Sequence, residues 1–383
     1  MLLDNLGTAK WPITLHSGEG ALLWDTDGNT YWDFYGGHAV TVLGQGHPAW
    51  IQAMTRQMQT LCFATTVADV AVRTRAASAL CDFAQMDCAF FVNSGAEANE
   101  AALKVARKAT GRSVIVAMEM GFHGRTMGAL GATWKYREQH SPTHGTTRFV
   151  PFGDLDALAA ALDGDVAAVL TEPIQGIAGI VTPPEGWLNG VEALVRANGS
   201  LLICDEVQSG IGRTGKAMAF HAEDVQPDLV TVGKGLGAGF PVAALLLTAE
   251  MAATVQPGEH GTTFGGAPLG CAAVEATLQI LAEEGLLERS QRLGDRMKQQ
   301  LAVPGVTETR GAGVWIGLVL DRPARPVAAA LRDRGFLVGT ASDPKVLRLA
   351  PPAVLPVCAV ELLAEALRDV LAAPVQQHAH AAK

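Results

Sequence analysis

Between residues 89 and 248 the chain alternates short apolar runs with longer segments of helical period, and this alternation restricts the fold more than any other feature. The runs are Phe90-Phe91-Val92, Val114-Ile115-Val116, Val169-Leu170, Leu201-Leu202-Ile203, Leu229-Val230-Thr231-Val232 and Leu245-Leu246-Leu247. Short runs rich in Val, Leu and Ile between helical stretches predict an α/β fold, a mostly parallel sheet covered by helices. Ligands of such sheets collect beyond the carboxyl ends of the strands, so the residues after each run are the candidates for function.

The flanking segments read differently. Residues 21–34 predict two strands around Asp27-Gly28-Asn29, a set that tolerates positive φ in a tight hairpin. Residues 268–284 and 286–301 read as helices, and 314–320, 335–338 and 346–349 as strands. The expected organisation is a large domain over 36–248 and a smaller α+β domain built from both chain ends, 1–35 and 249–383. The tail 376–383, with His378 and His380, reads as frayed, and no metal site is expected there.

Composition narrows the chemistry. The six cysteines, Cys62, Cys81, Cys88, Cys204, Cys271 and Cys358, are scattered without C-x-x-C spacing, which suits a reducing cytoplasm. The start Met1-Leu2-Leu3-Asp4-Asn5 has no basic, apolar leader, and the apolar stretch 242–248 is too short to span a bilayer. A net charge of −9 leaves no basic stripe for nucleic acid. A soluble cytoplasmic protein acting on small molecules is expected, with neither membrane nor nucleic acid as partner.

Three strand ends carry the chemistry. After Phe91-Val92 come Asn93-Ser94-Gly95-Ala96-Glu97-Ala98-Asn99, where a strand gives way to an alanine-rich helix. Unpaired amides of a first helical turn attract a phosphate, and Gly95 with Ala96 allows close approach; the alternative is a Ser94 N-cap and nothing more. The run ending in Cys204 is followed by Asp205-Glu206-Val207-Gln208. A carboxylate at the end of a buried strand requires a positive partner unless it is a wet loop acid. Lys234, in Val232-Gly233-Lys234-Gly235, follows a third apolar strand between glycines. Desolvation makes such an amine a nucleophile toward carbonyls, whereas a structural lysine is the alternative. A phosphate seat, a carboxylate for a pyridinium nitrogen and a Schiff-base lysine are the groups that pyridoxal 5'-phosphate requires.

These residues resemble the class III aminotransferases of fold type I, particularly the acetylornithine and succinylornithine aminotransferases of arginine biosynthesis. The resemblance runs from Gly36-Gly37-His38-Ala39-Val40 and Gly46-His47-Pro48 to Val346-Leu347-Arg348-Leu349-Ala350-Pro351-Pro352. It implies a transaminase passing the ω-amino group of an N-acylornithine to 2-oxoglutarate. It further implies that Gly95 and Ala96 bind the cofactor phosphate together with Ser94, that Phe122 and Val207 cover the two ring faces, and that Gln208 meets the ring hydroxyl. Thr263 resembles the residue that reaches the neighbouring subunit's phosphate, implying a homodimer with shared sites. Thr262 would lie beside the substrate, and Arg125 and Arg348 would bind carboxylates, for which planar guanidinium forks are suited.

Two positions depart from the family pattern. Relatives carry Glu-Pro-x-Gln-Gly-Glu where this chain has Glu172-Pro173-Ile174-Gln175-Gly176-Ile177, and Ala267 replaces an asparagine. In ornithine-using relatives that missing acid masks the arginine equivalent to Arg348. Other ω-amino donors, ornithine, acyl-lysine or 4-aminobutyrate, form the alternative within the family. Gly210-Ile211-Gly212-Arg213-Thr214-Gly215-Lys216 fits a nucleotide-binding P-loop in spacing, but Ala217 lacks the hydroxyl that would meet Mg²⁺.

Overall fold

The computed structural model describes residues 10–140 and 146–373; the tail histidines His378 and His380 lie outside the described residues. The chain opens on three antiparallel strands, β1 (Leu15–Glu19), β2 (Leu22–Asp25) and β3 (Thr30–Asp33). The hairpin expected around Gly28 joins β2 to β3. Gly28 adopts φ 84°, and the Asp25 carboxylate accepts from the amides of Asp27 (3.0 Å) and Asn29 (2.8 Å).

Seven strands form the main sheet: β4 (Cys88–Val92), β5 (Val114–Met118), β6 (Thr146–Val150), β7 (Val166–Thr171), β8 (Leu201–Asp205), β9 (Leu229–Val232) and β10 (Ala243–Leu247). They lie in the order β4-β10-β9-β8-β7-β5-β6, and all are parallel except β10, which runs antiparallel to both neighbours. The link from Val232 to Ala243 holds no crossover helix, only a short 3₁₀ turn at Lys234–Gly237, so the chain turns back beside β9. Edge strand β6 is too polar, Thr-Thr-Arg-Phe-Val, to stand out as an apolar run.

Side chains alternate between the faces of this sheet as the period of two requires. Val116, Val169, Leu202, Val230 and Leu246 face a core shared with the helices Ala71–Ala84, Trp187–Asn198 and Pro268–Glu283. Ile115, Leu170, Ile203, Leu229 and Leu245 face the helix Gly95–Thr110 through Ala101, Ala102 and Ala106. Small alanines there let the helix axis come close to the sheet.

The last third supplies β11 (Val306–Ala312), β12 (Trp315–Leu320), β13 (Phe336–Leu337), β14 (Gly339–Thr340) and β15 (Val346–Leu349). β13 pairs in parallel with β3, tying the two ends of the chain into one sheet, while β11, β12, β15 and β14 form another. A separate core containing Phe34, Leu293, Val314, Leu347 and Leu367 lies under them. Helix Pro268–Glu283 packs instead into the core of the main sheet, although its residues fall in the segment expected to join the smaller domain.

The glycine-rich segment 210–216 does not form a phosphate loop. Arg213 is buried in it and donates to the carbonyls of Ala39 (3.2 Å), Ala350 (3.1 Å) and Pro351. No α-helix follows; the next element is the 3₁₀ turn Ala219–Ala222. Burial pulls the Arg213 guanidinium down to about 10, and its side chain ties this loop to the backbone at Ala39 and at Ala350-Pro351.

Candidate active site

β4, β5, β7, β8 and β9 all point the same way, so their carboxyl ends open on one cavity of about 290 Å³. It is lined by Gly95, Ala96, Asn99, Phe122, His123, Gly124, Arg125, Glu172, Ile177, Asp205, Val207, Gln208 and Lys234. The three strand ends singled out in the sequence thus meet at one cavity.

Lys234 opens the 3₁₀ turn after β9 in the left-handed region, φ 46°. Burial pushes its ammonium down, against the opposing pull of the Asp205 and Glu172 carboxylates, and Arg348 adds to the lowering. A lysine so placed keeps a larger neutral fraction than one in water.

Asp205 closes β8 and is buried. Its Oδ1 accepts from the Val207 amide (3.0 Å), and its Oδ2 accepts from Asn99 Nδ2 (2.8 Å) and lies 2.7 Å from His123 Nδ1. Burial raises this carboxyl, but the bonds and charge of His123, with the Val207 amide and Asn99, outweigh it and hold the group below its ordinary value. Among the described residues the side chains that meet Asp205 are His123 and Asn99, and sequence reasoning gave neither a role. Asn99 is held in turn by Thr231, whose Oγ1 donates to Asn99 Oδ1 at 2.8 Å. His123 Nε2 is buried and has no hydrogen-bond partner among the described residues.

Glu172, directly after β7, accepts from the Phe122 amide (2.9 Å) and the Gly176 amide (3.0 Å), fixing the two loops that flank the cavity. Burial pushes its carboxyl up. Its position one residue after an apolar run was the available signal, but an acid followed by proline reads equally well as a turn.

At the end of β4, Ser94 caps the helix Gly95–Thr110 by accepting from the Glu97 amide (3.3 Å), and Glu97 returns to the Asn93 amide (2.6 Å). Ser94 itself stands exposed outside the cavity lining. A Cβ on Gly95 would come within 2.5 Å of Val207 Cγ1, and one on Gly124 within 2.7 Å of the Ala96 Cβ. Both positions exclude a side chain, and Val207 and Phe122 both line the cavity. Gln208 donates through Nε2 to His38 O at 3.1 Å.

The two arginines are separated. Arg125 lines the cavity and is exposed, with its guanidinium 4.4 Å from the Tyr136 ring centroid. Arg348, on β15, is not part of that lining and borders a second cavity with Tyr35, His38 and Thr340. It donates through Nε to Thr340 O (2.7 Å) and through Nη1 to Gly176 O (3.3 Å), next to cavity residue Ile177. Thr262 and Thr263 do not line the cavity; Thr262 Oγ1 accepts from Asn93 Nδ2 at 3.0 Å, and Thr263 is exposed.

Glu206, beside Asp205, points away from the cavity into the core. It is fully buried, accepting from Ser209 Oγ (2.5 Å) and the Phe220 amide (2.8 Å), and burial pushes it up to about 7. Because the folded value is raised, this carboxyl's contribution to stability is full below its ordinary value of 4.5 and is lost as pH rises through about 7. Glu206→Gln is expected to escape most of that loss, on the order of 3 kcal/mol between those limits. The urea midpoint of the variant should fall less than that of the parent over this window; parallel curves would contradict the assignment.

Comparison with known proteins agrees with this geometry. The family model described as aminotransferase class-III matches residues 5–371. An acetylornithine aminotransferase of Mycobacterium leprae is 43% identical over 98% of this chain and 95% of its own, and one of Methanopyrus kandleri is 45% identical over 95% and 96%. Among solved structures, the ornithine aminotransferase of Toxoplasma gondii superposes with a TM-score of 0.90 at 31% identity, covering 97% of this chain and 92% of that one. The acetylornithine aminotransferase of Elizabethkingia anophelis gives 0.86 at 31%, covering 96% and 95%. With its lysine, its buried carboxylate and its glycine-lined helix end gathered at the strand ends, and with a family match across nearly its whole length, the chain belongs to the class III aminotransferases.

Proposed function

We propose that this chain is a pyridoxal-phosphate-dependent transaminase that moves the ω-amino group of an N-acylornithine to 2-oxoglutarate, giving N-acylglutamate semialdehyde and glutamate. The observation that carries the chemistry is the meeting of Lys234 and Asp205 at the ends of adjacent strands in one cavity. The acyl donor is supported by the acetylornithine aminotransferases that resemble the chain at 41–45% identity.

Pyridoxal phosphate fits the residues present. Gly95 and Ala96 open the helix Gly95–Thr110 at the cavity wall, where first-turn amides suit a phosphate, and Asp205 is a buried anion of the kind a pyridinium nitrogen pairs with. When bound, the cofactor supplies an aldehyde for amine exchange and a protonated ring that takes up electron density from the substrate carbon. Gly95 and Ala96, with Ser94 at the same helix end, would hold its phosphate, Phe122 and Val207 its ring faces, and Gln208 its hydroxyl. Lys234 would anchor it and, once free, carry a proton at Nζ between neighbouring carbons. Asp205 would keep the ring nitrogen protonated, and Thr262, beside Asn93 rather than in the cavity lining, would reach toward the substrate. Arg125 and Arg348 would each take one carboxylate of the five-carbon diacid, so the distance between them selects its length.

Thr263 would complete the site of a second copy in a homodimer. Its neighbour Phe264 is 64% exposed and packs at 5.5 Å on Phe63, itself 42% exposed, while Val67 is 96% exposed, an apolar surface of the kind subunits cover. No helix among the described residues is long and apolar enough to cross a membrane, in keeping with a cytoplasmic enzyme. The core packing favours placing helix Pro268–Glu283 with the large domain, so that the smaller one resumes near Gly285.

Ile177 sets the donor. Arg348 donates to the carbonyl of Gly176, so a carboxylate at position 177 would be close enough to compete for that guanidinium; isoleucine leaves it unmasked. With the clamp open, free ornithine could present its α-amine at any time, whereas an N-acyl donor cannot, because its α-nitrogen is an amide. A strong preference for acylornithine over ornithine and 4-aminobutyrate is expected in kcat/KM, with acetyl, succinyl and acyl-lysine donors compared in the same panel. Ile177→Glu should slow the 2-oxoglutarate half-reaction more than the donor half. A parent enzyme that favours free ornithine would overturn the donor assignment.

A further inference from the structure

Tyr136 and Arg137 are adjacent in sequence, and their side chains act in different places. The Arg137 guanidinium lies 4.8 Å from the ring centroid of Trp134 and 4.0 Å from that of Phe149, which belongs to edge strand β6. Those two rings meet edge-to-face at 5.2 Å. Arg137 thereby fastens the segment to the rim of the main sheet. Tyr136 adopts φ 74°, a conformation that a bulky L-residue rarely takes unless its surroundings impose it. That backbone sends its ring to Arg125, 4.4 Å from ring centroid to guanidinium carbon, and edge-on to Phe122 at 6.4 Å and 89°.

Arg125 is exposed and has a long side chain with many rotamers, so binding a carboxylate would ordinarily require ordering it first. Stacking on an aromatic ring uses the flat face of a guanidinium and leaves its N–H edge available for a bidentate carboxylate. We propose that Tyr136 is a positioning residue for substrate carboxylates: its ring holds Arg125 by stacking, presenting the N–H edge to the ligand. This rests on the reading of Arg125 as a carboxylate clamp.

The test uses the holoenzyme and glutarate, a five-carbon diacid with no keto group to aminate, as a competitive probe. Tyr136→Leu is expected to weaken glutarate inhibition (higher Ki) and apparent 2-oxoglutarate affinity (higher KM) about three- to tenfold, with kcat within about twofold of the parent. Tyr136→Phe, which keeps the ring and loses the hydroxyl, should restore both constants to within about twofold. In an Arg125→Gln background, Tyr136→Leu should add no further change. An unaltered Ki in Tyr136→Leu, alongside a raised Ki in Arg125→Gln, overturns the positioning role while leaving the clamp in place. An unaltered Ki in Arg125→Gln removes the clamp and this proposal with it. Equal impairment of the Phe and Leu variants, or weaker pyridoxal phosphate binding by the same factor as glutarate, would assign the effect to the hydroxyl or to general loosening around Phe122.

Discussion

Lys234→Ala is expected to abolish turnover and the visible absorbance of the lysine-bound cofactor while the protein stays folded. Both losses follow from one side chain, because Nζ would supply the covalent link and then the proton carrier, and no other lysine among the described residues lines the cavity. The fold should survive, since Lys234 sits in a 3₁₀ turn outside the strands of the core and donates no hydrogen bond on which the sheet depends. Alanine must accept the positive φ of 46°, a strain that lysine already bears. Non-covalent binding through the helix end and the ring faces should persist, so pyridoxal phosphate added to the variant is expected to be retained. The measurements are steady-state activity, the absorbance spectrum and the urea midpoint. Transamination above background, or a urea midpoint far below the parent's, would remove Lys234 from its assigned role.

The strand ends were legible because burial on both faces leaves a mark in the sequence. Leu201-Leu202-Ile203-Cys204 contains no polar residue, so its end at Asp205 could be read directly. The same logic fails at β6 and β11, whose sequences Thr-Thr-Arg-Phe-Val and Val-Thr-Glu-Thr-Arg-Gly-Ala match partly exposed edge strands with a weak apolar signal. Parallel and antiparallel strands have the same side-chain period, so the reversal of β10 is visible only through the short link before it.

Within the site, the groups in the first layer were readable and their supports were not. Lys234 and Asp205 announce themselves by ionisable chemistry at the end of an apolar strand. Asn99 lies inside an alanine-rich helix and Thr231 inside a strand, and nothing local shows that they meet Asp205 across the sheet. Glu206 and Asp205 are adjacent in sequence, yet one enters the core and the other the cavity, a distinction that depends on which way the chain turns after β8. His123 illustrates the same limit: it sits between Phe122 and Gly124, lining residues whose roles are steric, and its partner is 82 residues away.

That support layer determines the size of the second large effect. Asp205→Asn is expected to leave the protein coloured but to lower kcat by at least on the order of a hundredfold, because the ring nitrogen loses its counter-charge where water cannot replace it. The network makes the loss worse than a simple neutralisation. Oδ1 of the new side chain can still accept from the Val207 amide, but the amide nitrogen then faces Asn99 Nδ2, placing two donors together in the position where 2.8 Å separates donor from acceptor in the parent. His123 can yield by changing tautomer, since its Nδ1 would then accept and its proton would move to the unpartnered Nε2. Asn99 can yield only by turning its amide, which would disturb its bond from Thr231 and its own donation to His123 O at 2.7 Å. A stability loss of about 1–3 kcal/mol should therefore accompany the kinetic one. Asp205→Asn combined with Asn99→Ala separates the two: it removes the facing donor without restoring the charge beside the ring. A urea midpoint above the value given by adding the two single losses, without recovery of kcat, is the expected result. Recovery of both would make Asp205 a hydrogen-bonding strut, and kinetics unchanged in the single variant would make it a solvated acid with no part in the reaction.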